Sequence, residues 1–343
     1  MKNILLAFTG GTIGSLATDG CIDISAAAPF TLLQQFRQHY PDHGQVSFTT
    51  IQPLDLLSEN LAPAAWQTLI AAIEAEQPGQ YDGIIITHGT DTLSYTAAAL
   101  GFYFHALDKP VLLVSSDYPL DKPEANGLEN FGCAVDFIVQ VNRPGVFVPY
   151  RNRQQITQIH LGTRLSSCLP LSGDFISVQH KSHMQYENRR FTVLNPIVAP
   201  QTANIALAAQ FSERILMIKP YPGLDYRTVN LDQTDAVLHD LYHSGTACVS
   251  RQWGASHSLL EFINRCRERA VKVYLAPIIK SADAYLSTRL LIDQGAEIIW
   301  NMSIEAAYTK LALAYGNFSD GQDIMAFISA DMAGEHVSGD GMA

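Results

Sequence analysis

The chain opens on an apolar run, Ile4-Leu5-Leu6-Ala7-Phe8, that stops abruptly at Thr9-Gly10-Gly11-Thr12-Ile13-Gly14-Ser15. An unbroken apolar stretch bounded by turn residues reads as a strand buried on both faces. A second such strand, Gly83–Thr87, runs into His88-Gly89-Thr90-Asp91-Thr92, and a third covers residues 111–114. Residues 63–76 carry apolar side chains at helical spacing behind a Pro63 suited to a first turn, and a further helix is predicted from about 93 to 106. Two-faced strands alternating with helices predict a parallel sheet covered on both sides.

The alternation lapses over residues 191–211, which hold Pro196 and Pro200, and then resumes. Strands are predicted at 215–219 and 271–276, helices at 258–270 and 284–294, and a strongly amphipathic helix at 302–315. The glycine-rich tail, 334–343, reads as loose. The expected class is therefore α/β: a larger N-terminal parallel-sheet domain (1–190), a linker (191–211) and a smaller C-terminal α/β domain (212–343).

Composition narrows the function. With 343 residues, 47% of them hydrophobic and 16% charged, the chain has length enough for a sizeable core. A net charge of −11 argues against a nucleic-acid surface, which should be basic. No apolar run is long enough to span a bilayer, and no signal-peptide pattern precedes the first strand, so a cytoplasmic location with no membrane partner is expected. Five scattered cysteines without CxxC spacing, and eleven histidines without an HExxH pair, point to no disulfide framework and no metal.

The chemistry-bearing residues sit in the two glycine-threonine loops. Ligands of open parallel sheets bind at the carboxyl ends of strands, where both loops are predicted to lie. A hydroxyl beside a carboxylate, as in Thr90-Asp91, can position a substrate or water and move a proton. Gly10 and Gly11 permit close backbone approach to a ligand. TGGTIG has neither the lysine of a phosphate-binding P-loop nor GxGxxG spacing, although Asp19 or Asp23 would be available to a ribose. Two plain tight turns are the other alternative.

The paired motifs resemble the bacterial L-asparaginase/glutaminase family, especially its cytoplasmic type I branch, over nearly the whole chain. Ser58-Glu59-Asn60-Leu61, Tyr221-Pro222-Gly223 and Ser303-Ile304-Glu305-Ala306-Ala307-Tyr308-Thr309-Lys310-Leu311 resemble further family stretches. The resemblance implies hydrolysis of a small-molecule side-chain amide without a cofactor, in a homodimer or homotetramer. It implies Thr12 as nucleophile, and Thr90 and Asp91 as the pair that activates water or relays protons. Gly11, Ser58, Glu59, Gly89 and Ser116 would hold the substrate, and Glu305 would reach a neighbouring subunit's site.

Two family features are replaced. Gly20-Cys21-Ile22 stands where a lid tyrosine is expected, putting Cys21 in its place. In Gly162-Thr163-Arg164-Leu165-Ser166-Ser167, Ser167 falls where the catalytic lysine should be. No motif brings Lys109, Lys122 or Lys181 into the site. Arg164 can stabilise charge but cannot accept a proton as a base. A catalytically weak relative that binds an amino-acid-like ligand is therefore the alternative to an amidohydrolase, and a nucleotide-binding module is a third.

Overall fold

The computed structural model describes residues 1–18, 21–24, 28–197, 205–281 and 283–338. These form two compact units, Met1–Ala209 with Met332–Gly334, and Gln210–Asp331 with Glu335–Ala343. Of the stretch 191–211, residues 191–193 belong to a strand, and 198–204, including Pro200, lie outside the described residues.

The first unit is built on an eight-stranded sheet. In chain order its elements are β1 (Lys2–Ala7), the hairpin β2 (Ser15–Thr18) and β3 (Cys21–Ile24), α1 (Ala28–His39), β4 (Val46–Ile51), α2 (Pro63–Ala75), β5 (Gly83–Thr87), α3 (Leu93–Tyr103), β6 (Pro110–Val114), α4 (Gly127–Asp136), β7 (Gly145–Tyr150), β8 (Thr157–Leu161), β9 (Met184–Glu187) and β10 (Arg190–Val193). The sheet order is β10-β9-β8-β7-β6-β5-β1-β4. Strands β4, β1, β5, β6 and β7 run parallel; β8, β9 and β10 extend the sheet antiparallel. The expectation of a parallel sheet thus holds for its centre, where β1, β5 and β6 are almost wholly buried.

The chain steps from β1 outward to β4, then returns across β1 to β5 and continues to β6 and β7. Strand order therefore reverses between β1 and β5, which makes the carboxyl ends of these two strands the natural crevice of the sheet. Helices α1 and α4 pack on each other, and α2 packs on α3. Trp66, Leu69, Ile70 and Ile73 of α2 are buried, so this helix contributes core as its spacing suggested.

One buried polar cluster ties the α1–α4 layer to the sheet's antiparallel edge. The Asp136 carboxylate accepts hydrogen bonds from the Tyr40 and Tyr186 hydroxyls and from both Nε and Nη2 of Arg189. Burial alone would raise its pKa, but the Arg189, Tyr186 and Tyr40 bonds together hold it below the ordinary aspartate value.

The second unit carries a four-stranded parallel sheet, β11 (Ile215–Ile218), β12 (Ala236–Asp240), β13 (Lys272–Ile278) and β14 (Glu297–Trp300), in that order. Its helices are α5 (Leu259–Glu268), α6 (Leu286–Asp293), α7 (Ile304–Asn317) and α8 (Gly321–Ser329). Two expectations are corrected here. Helix α7 is buried along most of its length, Lys310 included, rather than half exposed. The C-terminal segment is anchored at Glu335, which is 1% exposed and forms an ion pair with Lys310. The Lys310 ammonium also donates to the Ala330 carbonyl, so this buried charge has partners on both sides. Residues 339–343 lie outside the described residues.

Buried histidines contribute to the protein's response to acid, His183 among them with its pKa lowered by burial. His88, His160 and His239 each have their pKa lowered to about 4, in every case chiefly because burial disfavours the imidazolium. The unfolded chain binds a proton at each as pH falls below about 6.5, whereas the folded chain stays neutral down to about 4. Below pH 6.5 the unfolded state therefore holds more protons, and stability falls as pH decreases through this window. The melting temperature is expected to drop between pH 7 and pH 5, with proton uptake on unfolding. An unchanged melting temperature over that range would contradict neutral burial of these rings.

Candidate active site

The carboxyl ends of β1 and β5 are fastened together before any loop begins. The Thr9 hydroxyl donates to the Thr87 carbonyl at 2.5 Å, and the Thr9 amide donates to the Thr87 hydroxyl at 3.3 Å. Beyond this point Gly10 and Gly11 take φ values of +94° and +76°, a region that side-chain-bearing residues rarely adopt. The Gly11 amide donates to the Leu56 carbonyl, and the Leu56 amide donates to the Thr9 carbonyl, which lays the segment before Ser58 alongside the loop.

Glycine is required here for contact as much as for conformation. A Cβ on Gly11 would fall 2.3 Å from the Gly89 nitrogen, and one on Gly89 would fall 2.4 Å from the Ser58 hydroxyl oxygen. The two threonine loops therefore meet backbone to backbone, with Ser58 against the same junction. Thr12 and Thr90 follow the two contacting glycines directly, and both side chains are half-buried.

Ser58 links the junction to the carboxylate. Its hydroxyl lies 3.2 Å from Asp91 Oδ2 and accepts from the Asp91 amide at 3.2 Å, while its carbonyl accepts from the Thr92 hydroxyl. Ser58 is 3% exposed, whereas Asp91 and Glu59 face solvent. The structure thus brings together Gly11, Thr12, Ser58, Gly89, Thr90 and Asp91. Glu59 follows in the same turn, Ser58–Asn60.

Two candidates sit differently. Ser116 follows β6, the neighbour of β5, but its hydroxyl donates to the Tyr118 carbonyl at 2.5 Å and its side chain packs on Gly127. That hydroxyl shapes its own loop. Asp117 is likewise engaged locally, exchanging backbone–side-chain bonds with Asn126 at 3.0 and 3.1 Å. Glu305 belongs to the second unit, in the first turn of α7, and is 6% exposed. There burial raises the Asp240 carboxyl and the Glu305 charge adds to the rise, against the Leu241 amide and Lys219, which lower it.

His88 serves the loop as a brace rather than a base. Its Nδ1 donates to the Gly89 carbonyl at 2.8 Å, and its Nε2 lies 2.9 Å from the Thr96 hydroxyl, which also accepts from the Trp66 indole. Both ring nitrogens are engaged. The Tyr242-His243-Ser244-Gly245-Thr246 turn follows strand β12 and closes on itself, the Tyr242 amide donating to the Thr246 carbonyl.

Two further residues at this end of the sheet have no sequence signal that makes them neighbours. Ser94, in the first turn of α3 and three residues after Asp91, has its hydroxyl 3.4 Å from that of Ser167. Cys168 follows, and its thiol is raised to about 11 by burial and then by the charge of Asp91. It stays protonated at neutral pH and offers no competing thiolate. Cys21 lies on β3; Asp19 and Gly20 fall outside the described residues.

A reversal point in a parallel-centred sheet, with two threonine loops in backbone contact and a serine bonded to the carboxylate of one of them, defines an α/β site. Comparison with known proteins agrees. The family described as "Asparaginase, N-terminal" matches residues 3–195, and the chain belongs to the asparaginase family. It is 28% identical to an L-asparaginase of the archaeon Thermococcus kodakarensis, covering 98% of this chain and 99% of that one. It is 25% identical to a glutamyl-tRNA(Gln) amidotransferase component of Saccharolobus islandicus, covering 97% of this chain and 76% of that one. The solved thermostable L-asparaginase from Thermococcus kodakarensis superposes with a TM-score of 0.81 at 26% identity, covering 98% of this chain and all of that one. Among the described residues, no helix is long and apolar enough to cross a membrane.

Proposed function

We propose that the chain hydrolyses asparagine, or a related small amide, to the carboxylate and ammonia through Thr12. The observation that carries this reading is the Gly11–Gly89 backbone contact with Ser58 bridging to Asp91, which makes one site of two threonine loops. In the proposed reaction the Thr12 oxygen bonds to the amide carbon. The Thr12 proton passes to the departing nitrogen, and ammonia leaves an ester. Water positioned by Thr90 and Asp91 then cleaves the ester, releasing the carboxylate and restoring the hydroxyl. Ser58 and Glu59 face the substrate's amino and carboxylate groups. Glu305 acts in a neighbouring copy's site, in a homodimer or homotetramer working in the cytoplasm. Nucleic acid has no part in this reading.

A second reading has its own support. Ser167 takes the place of the family lysine and meets a serine hydroxyl on the helix that follows Asp91. A site with a hydroxyl there in place of an amine suits a slow enzyme, or a relative that binds an amino-acid-like ligand without turnover. Ammonia release from asparagine and glutamine, measured beside the effect of aspartate on the melting temperature, separates the two. Turnover supports the first, stabilisation without turnover the second, and neither effect removes asparagine and glutamine as substrates and aspartate as ligand.

A further inference from the structure

At the other end of the first unit's sheet from the threonine loops lies a cavity of about 310 Å³, within the usual range for small-ligand sites. Gly101 near the end of α3, Gly145 and Phe147 of β7, Leu161 of β8 and Ala333 supply most of its wall, which is apolar. Three polar side chains also line it: Arg143, His105 and Thr163, whose hydroxyl is engaged with the Ala333 carbonyl at 3.0 Å. We infer that this cavity is a second ligand site, separate from the amide site, that takes a small carboxylate with an apolar body and a hydrogen-bond donor beside the carboxylate.

Each part of that description answers a group in the wall. Arg143 donates to the Ile197 carbonyl at 3.0 Å and has no carboxylate partner among the described residues, so its guanidinium keeps donors for an anion. His105 Nδ1 lies 2.9 Å from the Phe102 carbonyl, and since a carbonyl only accepts, Nδ1 carries the proton. In the neutral ring Nε2 is then an acceptor. That atom is shielded from solvent and has no partner among the described residues, which is costly for a buried polar atom. A ligand hydroxyl or amine pairs with it while the carboxylate meets Arg143. The apolar remainder of the wall suits an aliphatic or aromatic body and disfavours a polar amide side chain. Apolar amino acids and 2-hydroxy acids have this combination of groups.

Calorimetric titration of the full chain tests the site with four probes. Leucine and 2-hydroxy-4-methylpentanoate are expected to bind. Leucinamide lacks the carboxylate and 4-methylpentanoate lacks the donor, and each is expected to bind at least about tenfold more weakly. Arg143→Gln should weaken leucine by about tenfold or more, Ala333→Leu should fill the cavity and abolish binding, and Asp91→Asn should leave it unchanged. The inference is overturned if leucine does not bind, if its affinity survives both Arg143→Gln and Ala333→Leu, or if Asp91→Asn removes it.

Discussion

Thr12→Ala is expected to lower ammonia release by at least about a thousandfold, because a hydrolase stripped of its nucleophile keeps only the binding and polarising part of its catalysis. The melting temperature should stay within a degree or two. The Thr12 hydroxyl makes no hydrogen bond to the described residues, and its backbone sits in a short helical turn that alanine tolerates. Loop geometry is held instead by Gly10, Gly11 and the Thr9–Thr87 bonds. A Thr12→Ala protein that folds, binds aspartate and still turns over at a tenth of the original rate would remove Thr12 from the chemistry. Thr12→Ser, which keeps the hydroxyl, should retain most of the activity.

The second large effect runs upward. Ser167→Lys is expected to raise kcat by about a hundredfold to ten thousandfold, the usual worth of a positioned proton-transfer group. Ser167 approaches Ser94, in the first turn of α3 three residues after Asp91, and the Asp91 charge acts on the adjoining Cys168, so a lysine stem from position 167 is expected to bring its amine toward the Asp91 carboxylate. KM should change far less than kcat, because the amine acts on the reacting groups and not on the substrate's recognition groups. Ser167→Met, with a long side chain and no charge, should give no gain. A folded Ser167→Lys protein with unchanged or reduced turnover would show that this chain's site moves protons by another arrangement.

The parts of this account legible in the sequence were those where local chemistry and fold coincide. Strands β1, β5 and β6 are continuous apolar runs because both their faces are covered, and the glycines that follow β1 and β5 mark where backbones converge. The edge strands gave no such signal. Strand β10 is mostly exposed and β4 is only partly buried, so neither has the apolar density that betrays a central strand. Strand β12 was disguised by its polar end, His239-Asp240. His239 is fully buried because its Nε2 meets the Tyr226 hydroxyl at 2.8 Å, a partner thirteen positions away.

The same limit applies to the site. TGGTIG and HGTDT could be read as candidate loops, and Ser58 by its resemblance, because each is a local string. The Ser94–Ser167 approach joins residues 73 positions apart and depends on how the segment after β8 lies along α3. The Trp66–Thr96–His88 chain joins two helices to a loop and has no sequence pattern. The Lys310–Glu335 pair was hidden because a glycine-rich tail gives no sign that one of its carboxylates is buried. In each case the missing information was a long-range polar contact.

The central claim is that Thr12 forms a covalent bond to the substrate. Rapid acid quenching of the protein during reaction with asparagine, followed by mass analysis of its peptides, tests it directly. The expected result is an aspartyl ester on the peptide containing Thr12, absent from the Thr12→Ala protein. Turnover with an adduct on Thr90 or Cys168 instead, or with no adduct on any peptide while ammonia is released, would contradict the account.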